Sequence, residues 1–348
     1  MTDKEIRVAV NGYGVIGKRV ADAVRAQPDM ELVGVGDVVT DYRVTTAVAQ
    51  GLPVYASIPD KAGEMEAAGV PVAGTLNDLL AQVDVVVDAT PKGIGARNLE
   101  RYRGAGVKAV FQGGEKHTLT GHSFVAQANY ETALGRDATR VVSCNTTSTV
   151  RTLTALRDAG LLQKARGVLI RRATDPWEAD HSGIMNTVVP EPDIPSHQGP
   201  DAQTVVPELD VITIAAKAAH TQTHNHYWIV TLAREAGREE VLDAFRAAPR
   251  LAFIRMSDGI VALNSTINLM QDLNRPRGDM WEVALWEDVL TVNGREVYYT
   301  YQVDNQAIVV PENVDAIRAL CGSITEGRES IQITDEALGV RQDFLGGE

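Results

Sequence analysis

Short apolar runs alternate with helical periods through the first 150 residues. Ile6–Val10 and Glu31–Gly36 have strand character, and Ile16, Val20 and Val24 follow the period of an amphipathic helix. The same alternation continues with predicted helices and strands at Leu76–Val83, Val85–Val87, Ala96–Ala105, Lys108–Phe111 and Arg140–Val142. Apolar strands separated by helices predict a parallel sheet with helices on both faces.

The pattern changes near residue 144. A helix is predicted at Thr149–Leu161, and Pro190–Pro207, rich in Pro and Asp, is predicted to be a loop. Strand-like runs occur at Gly167–Ile170, Val211–Ala215, Tyr227–Leu232, Ala252–Arg255, Glu282–Trp286 and Glu296–Val303. Further helices are predicted at Glu312–Leu320 and near Thr334–Phe344. This half therefore predicts a mixed or antiparallel sheet with a few helices.

A glycine-rich turn follows the first predicted strand. Gly12, Gly14 and Gly17 form Gly-x-Gly-x-x-Gly directly between a strand and a helix, the context in which this motif holds a dinucleotide pyrophosphate. Asp37 lies 20 residues beyond Gly17, where an acid accepts hydrogen bonds from the ribose of NAD and repels the 2′-phosphate of NADP. The alternative is that the glycines only turn the chain and that Asp37 is a solvated loop residue.

These patterns together predict an α/β protein with two domains, as its 348 residues also suggest. Residues 1–143 are predicted to form a Rossmann-type doubly wound parallel sheet that binds a dinucleotide. Residues 144–305 are predicted to form an α+β catalytic domain with a mixed or antiparallel sheet. The C-terminal helices, 306–348, are expected to pack back on the first domain.

Cys144 is a candidate nucleophile. It lies between a predicted strand and a predicted helix, among hydroxyl side chains, and a helix N-terminus favours the thiolate that attacks carbonyl carbon. The alternative is a small buried hydrophobic residue, which is how we interpret Cys321.

A base for that thiol is available in a histidine pair. His224 and His226 are two residues apart on a predicted strand, so both point to one face, and either could act as general acid or base. The alternative is a pair of core or surface histidines without a chemical role.

Composition excludes several other classes. The formal net charge of −13 argues against a general nucleic-acid partner, and every apolar run is too short to span a bilayer. The charged N-terminal residues do not resemble a signal peptide, so a cytoplasmic location is expected. The chain contains neither Cys-x-x-Cys nor His-Glu-x-x-His, and no metal is expected.

Several motifs along nearly the whole chain resemble the archaeal-type (type II) glyceraldehyde-3-phosphate dehydrogenase family. They are Val10–Asp22, Ala89–Gly93, Phe111–Lys116, Val142–Thr147, Ile170–Arg172, Pro195–His197 and Ile308–Arg318. The resemblance implies reversible, phosphorylating, NAD(P)-dependent oxidation of glyceraldehyde 3-phosphate to 1,3-bisphosphoglycerate. Cys144 matches the family's nucleophile, which forms a thiohemiacetal and then a thioester that inorganic phosphate attacks. His224 matches its general base, and the family suggests a homotetramer.

The resemblance also implies binding residues. Beyond the three glycines and Asp37, those toward the cofactor are Tyr13, Val15, Ile16, Thr90, Lys92, Gly113, Gly114, Arg172 and Asn305. Those toward the substrate are Ser143, Asn145, Thr146, Arg171, His197 and Gln198. Because Arg171 and Arg172 are neighbours on a strand, only one is expected to face the site, with Arg172 favoured and the other salt-bridged at the surface.

Two departures from the family pattern keep alternatives open. Asp37 stands where many members carry a basic residue, which favours NAD over NADP. Thr221–Thr223 is polar where the family is apolar, so a thioester-forming dehydrogenase for another phosphorylated or acidic aldehyde is a second hypothesis. A catalytically silent nucleotide-binding protein is the third.

Overall fold

The computed structural model describes residues 5–112, 114–174 and 188–346, which form two compact units. One unit comprises residues 1–143 and 310–339, and the other comprises residues 144–309 and 340–348. Residues 340–346 therefore belong to the second unit, and the tail does not return to the first unit as a whole.

The first unit is built on an eight-stranded sheet in which all neighbouring strands are parallel. Its strands are β1 (Ile6–Asn11), β2 (Met30–Asp37), β3 (Val54–Ala56), β4 (Val72–Thr75), β5 (Val85–Asp88), β6 (Lys108–Phe111), β7 (Ser123–Phe124) and β8 (Ala138–Val141). They lie in the order β4-β3-β2-β1-β5-β6-β8-β7. The order reverses between β1 and β5, and ligands of doubly wound sheets bind beyond the strand ends at such a point.

The helices of this part are α1 (Val15–Ala26), α2 (Tyr42–Ala49), α3 (Ala62–Ala67), α4 (Leu76–Leu80), α5 (Gly95–Gly104) and α6 (Ala126–Asn129). Strands β1 and β5 are almost continuously buried, as expected of central strands covered on both faces. The predicted strands and the helices α1 and α5 are confirmed to within a few residues. The elements α2, α3, β3 and β4 were not predicted; α3, β3 and β4 have only three to six residues, too few for a clear period.

The second unit contains a mixed sheet. Its strands are β9 (Leu162–Arg172), β10 (Val188–Pro190), β11 (Val211–Ala218), β12 (His224–Leu232), β13 (Leu251–Ile254), β14 (Val283–Trp286), β15 (Thr291–Asn293) and β16 (Glu296–Val303). The order is β10-β11-β9-β12-β16-β14-β13, with β15 paired to β16. Strand β12 is antiparallel to both β9 and β16, so it is held on both edges.

The helices of the second unit are α7 (Cys144–Asp158), α8 (Gln198–Gln203), α9 (Arg238–Arg246) and α10 (Leu263–Asp272). Helix α7 packs on β9 and β16, and nearly all of its side chains up to Leu156 are buried. It begins five residues before the predicted start. Helix α8 lies inside Pro190–Pro207, so the prediction of a plain loop there is wrong; a six-residue helix leaves little periodic signal.

Two C-terminal helices, α11 (Val310–Cys321) and α12 (Gly327–Leu338), complete the first unit. Arg318 of α11 is fully buried, and its guanidinium contacts the Asp29 carboxylate at 2.7 Å, the Gln27 amide oxygen and the Thr334 hydroxyl. A buried guanidinium requires this degree of pairing. The helix predicted near Thr334–Phe344 ends at Leu338 instead, where Gly339 adopts a left-handed conformation that terminates it.

Candidate active site

Cys144 is the first residue of α7 and follows the chain that leaves β8. It is a free thiol with partial solvent exposure, whereas the residues just after it, Asn145 to Thr149, are buried. The side chain thus occupies the position at which a helix N-terminus directs its amide groups and positive dipole toward a ligand or an anion.

His224 begins β12 and lies beside this thiol. Its Nε2 is 3.3 Å from Cys144 Sγ, and the histidine is almost fully buried. The pairing of β12 with β9 and β16 fixes the ring's position relative to α7, because α7 packs on the same two strands. A thiol and an imidazole in contact are the arrangement required for nucleophilic catalysis with proton transfer.

The other nitrogen of the His224 ring contacts the backbone. Nδ1 lies 3.1 Å from the amide nitrogen of Arg172, which donates a hydrogen bond to it. A ring nitrogen that accepts a hydrogen bond carries no proton, so the neutral ring bears its proton on Nε2, facing the sulfur. The backbone of β9 therefore sets the tautomer of the histidine.

His226 has a different environment. Its Nε2 lies 2.9 Å from the side-chain oxygen of Asn145, and its Nδ1 lies 2.8 Å from the Tyr301 hydroxyl. The ring is fully buried, and burial, followed by the charge of Arg171, lowers its pKa to about 3. His226 is thus a neutral residue that holds Asn145, the neighbour of Cys144. Of the two histidines, His224 contacts the thiol.

Burial shifts both the thiol and the imidazole toward their neutral forms. Burial raises the pKa of Cys144 to about 11, although the charges of Arg172 and Arg171 act in the opposite direction. Burial and the neighbouring His226 hold the pKa of His224 well below its ordinary value. Desolvation therefore opposes the thiolate that the helix N-terminus was expected to favour, and it exceeds the effect of the two arginines on the pKa.

Both arginines of β9 act on the nucleophile. Each lowers the pKa of Cys144 through its charge, with Arg172 the stronger. They differ in their contacts: Arg171 forms an ion pair with Glu191, and the backbone of Arg172 contacts His224. They are the last two residues of the strand, and the ion pair of Arg171 is the one that the sequence predicts for the second arginine.

The remaining predicted substrate residues have separate environments. The buried Thr146 hydroxyl donates to the Asp201 carboxylate at 2.9 Å. Gln198, the first residue of α8, is fully buried, and neither polar atom of its side chain has a hydrogen-bond partner among the described residues. The imidazole of His197 lies 3.6 Å from Glu191 and is largely exposed. Ser143 is half-buried at the end of the first unit.

The residue before His224 has an unusual backbone. Thr223 has a φ of 61°, a region that β-branched residues rarely occupy. Its amide donates to the Asn305 side-chain oxygen at 2.7 Å, and its carbonyl contacts His220 at 3.1 Å. Asn305 therefore holds the turn that places His224 at the start of β12.

The glycine-rich turn of the first unit forms a tight cradle. A Cβ on Gly12 would lie 2.7 Å from the Ala89 backbone, and one on Gly17 would lie 1.8 Å from the Gly12 carbonyl oxygen. A Cβ on Gly14, by contrast, would meet nothing within 4 Å. Gly12 and Gly17 let the turn pack against β5 and α1. Gly14 leaves open space at the N-terminus of α1, where a pyrophosphate could approach the backbone.

Asp37 ends β2 and is tied to the same turn. One carboxylate oxygen accepts a 2.7 Å hydrogen bond from the Tyr13 amide, and the other accepts one of 2.6 Å from the Val38 amide. Val15 and Ile16, also predicted to touch the cofactor, are the first residues of α1. The acid therefore lies beside the glycine turn, as a ribose-binding acid must.

The other predicted cofactor residues follow β5 and β6. Thr90 donates both its amide and its hydroxyl to Asp88. Lys92 is exposed, and Gly114 has a φ of 77°, which favours glycine. Gly113 lies outside the described residues.

Among the described residues, no cluster of three His, Cys, Asp or Glu side chains could hold a metal ion. No helix in the same ranges is long and apolar enough to cross a membrane.

Comparison with known proteins agrees with this geometry. Residues 143–286 match the model of the glyceraldehyde 3-phosphate dehydrogenase C-terminal domain. Glyceraldehyde-3-phosphate dehydrogenase from Methanobrevibacter smithii is 43% identical over 335 residues, which cover 96% of this chain and 99% of that protein. The chain belongs to the archaeal-type glyceraldehyde-3-phosphate dehydrogenase family.

Further relatives of this dehydrogenase family extend the similarity. The proteins of the same name from Halobacterium salinarum and Pyrococcus abyssi are 44% and 45% identical, covering 96% and 97% of this chain and 100% and 99% of their own lengths. Residues 6–115 match the model of the dihydrodipicolinate reductase N-terminus, a similarity confined to the first unit. The chain is therefore an oxidoreductase, and the hypothesis of a silent binding protein is not supported.

The raised pKa of Cys144 predicts how its alkylation depends on pH. A pKa above the ordinary value leaves the thiol protonated at pH 7, so the rate of reaction with iodoacetamide should rise about tenfold per pH unit between pH 7 and pH 9. The rate is measured by peptide mass spectrometry in a Cys321→Ser background, with Cys144→Ser as the blank. A rate that is already constant above pH 7 would contradict the neutral resting thiol.

Proposed function

We propose that this enzyme oxidises glyceraldehyde 3-phosphate to 1,3-bisphosphoglycerate in a reversible, phosphorylating reaction through a covalent intermediate on Cys144. The observation that carries the proposal is the 3.3 Å contact between Cys144 Sγ and His224 Nε2 at the start of a buried helix. Membership of the dehydrogenase family supports the aldehyde as substrate.

The first step is attack of the Cys144 sulfur on the aldehyde carbon. A carbon–sulfur bond forms, the carbonyl π bond breaks, and the thiol proton ends on the former carbonyl oxygen as the hydroxyl of a thiohemiacetal. A nicotinamide cofactor, when bound, supplies the hydride acceptor that the oxidation of this adduct to a thioester requires. Inorganic phosphate then attacks the acyl carbon, the carbon–sulfur bond breaks, and the electron pair returns to sulfur. Two easier steps thus replace one difficult step.

His224 has two roles in this scheme. In the resting geometry its Nε2 proton points at the sulfur and stabilises a thiolate once the thiol proton has left. To accept the proton of the thiohemiacetal hydroxyl, Nε2 must first be free, which requires the ring to move its proton to Nδ1 and release the Arg172 amide. We therefore assign the general-base role to the liganded state.

The two arginines that act on the thiol fit an anionic substrate. Arg171, Arg172 and His197 are proposed to bind the phosphate group of the aldehyde and inorganic phosphate, with Asn145 and Thr146 beside the reacting carbon. The buried and unpaired amide of Gln198 supports a further polar contact, because an unsatisfied buried amide is costly unless a ligand or water completes it.

The first unit is proposed to hold the cofactor. Its tight turn at Gly12 and Gly17 and the open space above Gly14 fit a pyrophosphate, and Asp37 beside the turn fits an unphosphorylated ribose. Thr90, Lys92 and Gly114 follow neighbouring strands at the same edge of the sheet, where further contacts to the cofactor are proposed.

The phosphate dependence of the reaction tests the proposal. NADH formation from glyceraldehyde 3-phosphate, followed at 340 nm, should require inorganic phosphate for sustained turnover. Cys144→Ser should lower kcat by about a thousandfold or more, because a hydroxyl is a far weaker nucleophile at this site. Sustained turnover without phosphate would remove the phosphorylating claim, and an active serine variant would remove the covalent one.

A second aldehyde remains a candidate. Thr223, in the polar segment before the base, has a buried hydroxyl without a hydrogen-bond partner among the described residues. A substrate with an additional polar group could satisfy it. Comparison of kcat/KM across phosphorylated and acidic aldehydes decides between the two candidates.

Asp37 leads us to propose NAD over NADP. Asp37→Asn keeps an acceptor oxygen for the Tyr13 amide but removes the charge that repels a 2′-phosphate. The ratio of kcat/KM for NAD to that for NADP should fall by about tenfold or more, chiefly through a lower KM for NADP. Asp41→Asn, at the start of α2, is the matched control. A wild-type enzyme that already prefers NADP would show that Asp37 does not select the cofactor.

We also propose a homotetramer. Five large apolar side chains of the second unit's sheet are exposed on the strands β9, β11 and β12, namely Val168, Ile212, Ile214, Tyr227 and Ile229. A contiguous exposed apolar face of this kind is typical of a protein–protein interface.

A further inference from the structure

Glu191 lies between two side chains of the proposed anion site, Arg171 and His197. One of its carboxylate oxygens contacts the guanidinium of Arg171, and the other lies 3.6 Å from His197 Nδ1. Only 17% of the Glu191 side chain is exposed, and its amide is bonded to the Ala215 carbonyl at 2.8 Å, next to the pairing of β10 with β11. Glu191 is therefore a largely buried, backbone-anchored carboxylate.

We propose that Glu191 is a positioning residue that holds and neutralises Arg171 in the ligand-free site and yields it to a phosphate group on binding. The inference rests on the proposed function, since it assigns Arg171 to the phosphate of the substrate or to inorganic phosphate. Both anions have the chemistry to replace the carboxylate: two or more oxygens that can accept the fork of guanidinium protons.

A carboxylate at position 191 offsets the positive charge of Arg171. Arg171 and Arg172 are adjacent, and burial lowers the pKa of Arg171, with Arg172 acting in the same direction. An internal carboxylate stabilises Arg171 while no ligand is present, and it competes with the ligand for the same protons. Anion binding is thereby weakened, and the guanidinium is kept aligned for exchange.

The same carboxylate affects the nucleophile through Arg171. The charged and titratable groups that act on Cys144 are Arg171 and Arg172 of β9, His224 of β12 and Asp304 after β16. Of these, Arg171 is the one whose charge Glu191 directly opposes. Loss of the Glu191 charge therefore strengthens the positive potential at the sulfur and favours the thiolate.

Glu191→Gln is the decisive variant, because it keeps an acceptor oxygen for Arg171 and removes only the charge. We expect KM for glyceraldehyde 3-phosphate or for inorganic phosphate to fall about threefold or more, with kcat changed less than KM. Alkylation of Cys144 by iodoacetamide at pH 8 should become faster by a similar factor. Glu191→Asp keeps the charge and should restore slow alkylation, and Glu208→Gln, which removes an exposed partner of Arg157, is the matched control.

The two phosphate sources are distinguished by separate measurements. Inorganic phosphate alone, without aldehyde or cofactor, should slow the alkylation of Cys144 at lower concentrations in Glu191→Gln than in the wild type if it uses Arg171. A fall in KM for the aldehyde without this effect assigns Arg171 to the substrate's own phosphate. Either result supports the displacement of Glu191.

Unchanged or raised KM values together with unchanged alkylation in Glu191→Gln would overturn the inference and leave the proposed function intact. If the wild type shows no phosphate-dependent oxidation but Glu191→Gln is still alkylated faster, the proposed function is overturned. The charge relation between Glu191 and Arg171 then remains supported.

Discussion

The contact between Cys144 and His224 is the interaction on which the chemistry of this protein depends. It joins the first residue of α7 to the first residue of β12, and both elements are fixed by the same two strands, β9 and β16. A shift of either element by one residue would separate sulfur from imidazole. The hydrogen bonds around them, between Asn145 and His226 and between Thr223 and Asn305, hold the two ends in register.

Burial and charge act against each other at this contact. Desolvation keeps the thiol and the imidazole neutral, and the two arginines offset only part of that effect. The backbone amide of Arg172 further opposes protonation of His224 at Nδ1. The thiol is thus close to its base but still protonated. In our proposal, an anion that displaces Glu191 from Arg171 changes the electrostatic potential at the sulfur. Slow labelling of the thiol is therefore compatible with an active enzyme.

The sequence predicts the main features of this arrangement, and its failures have physical causes. Apolar runs and helical periods predict the parallel sheet, and the placement of Cys144 between a strand and a helix is confirmed. The pattern could not distinguish His224 from His226, because both point to the same face and only tertiary contacts separate them. Glu191 and α8 were not predicted, because they lie in a segment rich in Pro and Asp. That composition indicates a loop whether the carboxylate of Glu191 is buried or exposed. The raised pKa of Cys144 depends on desolvation by the folded protein, which the local sequence pattern cannot predict.

The thioester on Cys144 is the central claim, and intact-protein mass spectrometry tests it most directly. After incubation with glyceraldehyde 3-phosphate and NAD without phosphate and an acid quench, the account predicts a mass increase of one 3-phosphoglyceroyl group. Peptide mapping should place the group on Cys144, and added inorganic phosphate should remove it. Sustained NADH formation with no adduct under these conditions, or an adduct that persists in Cys144→Ser, would contradict the account.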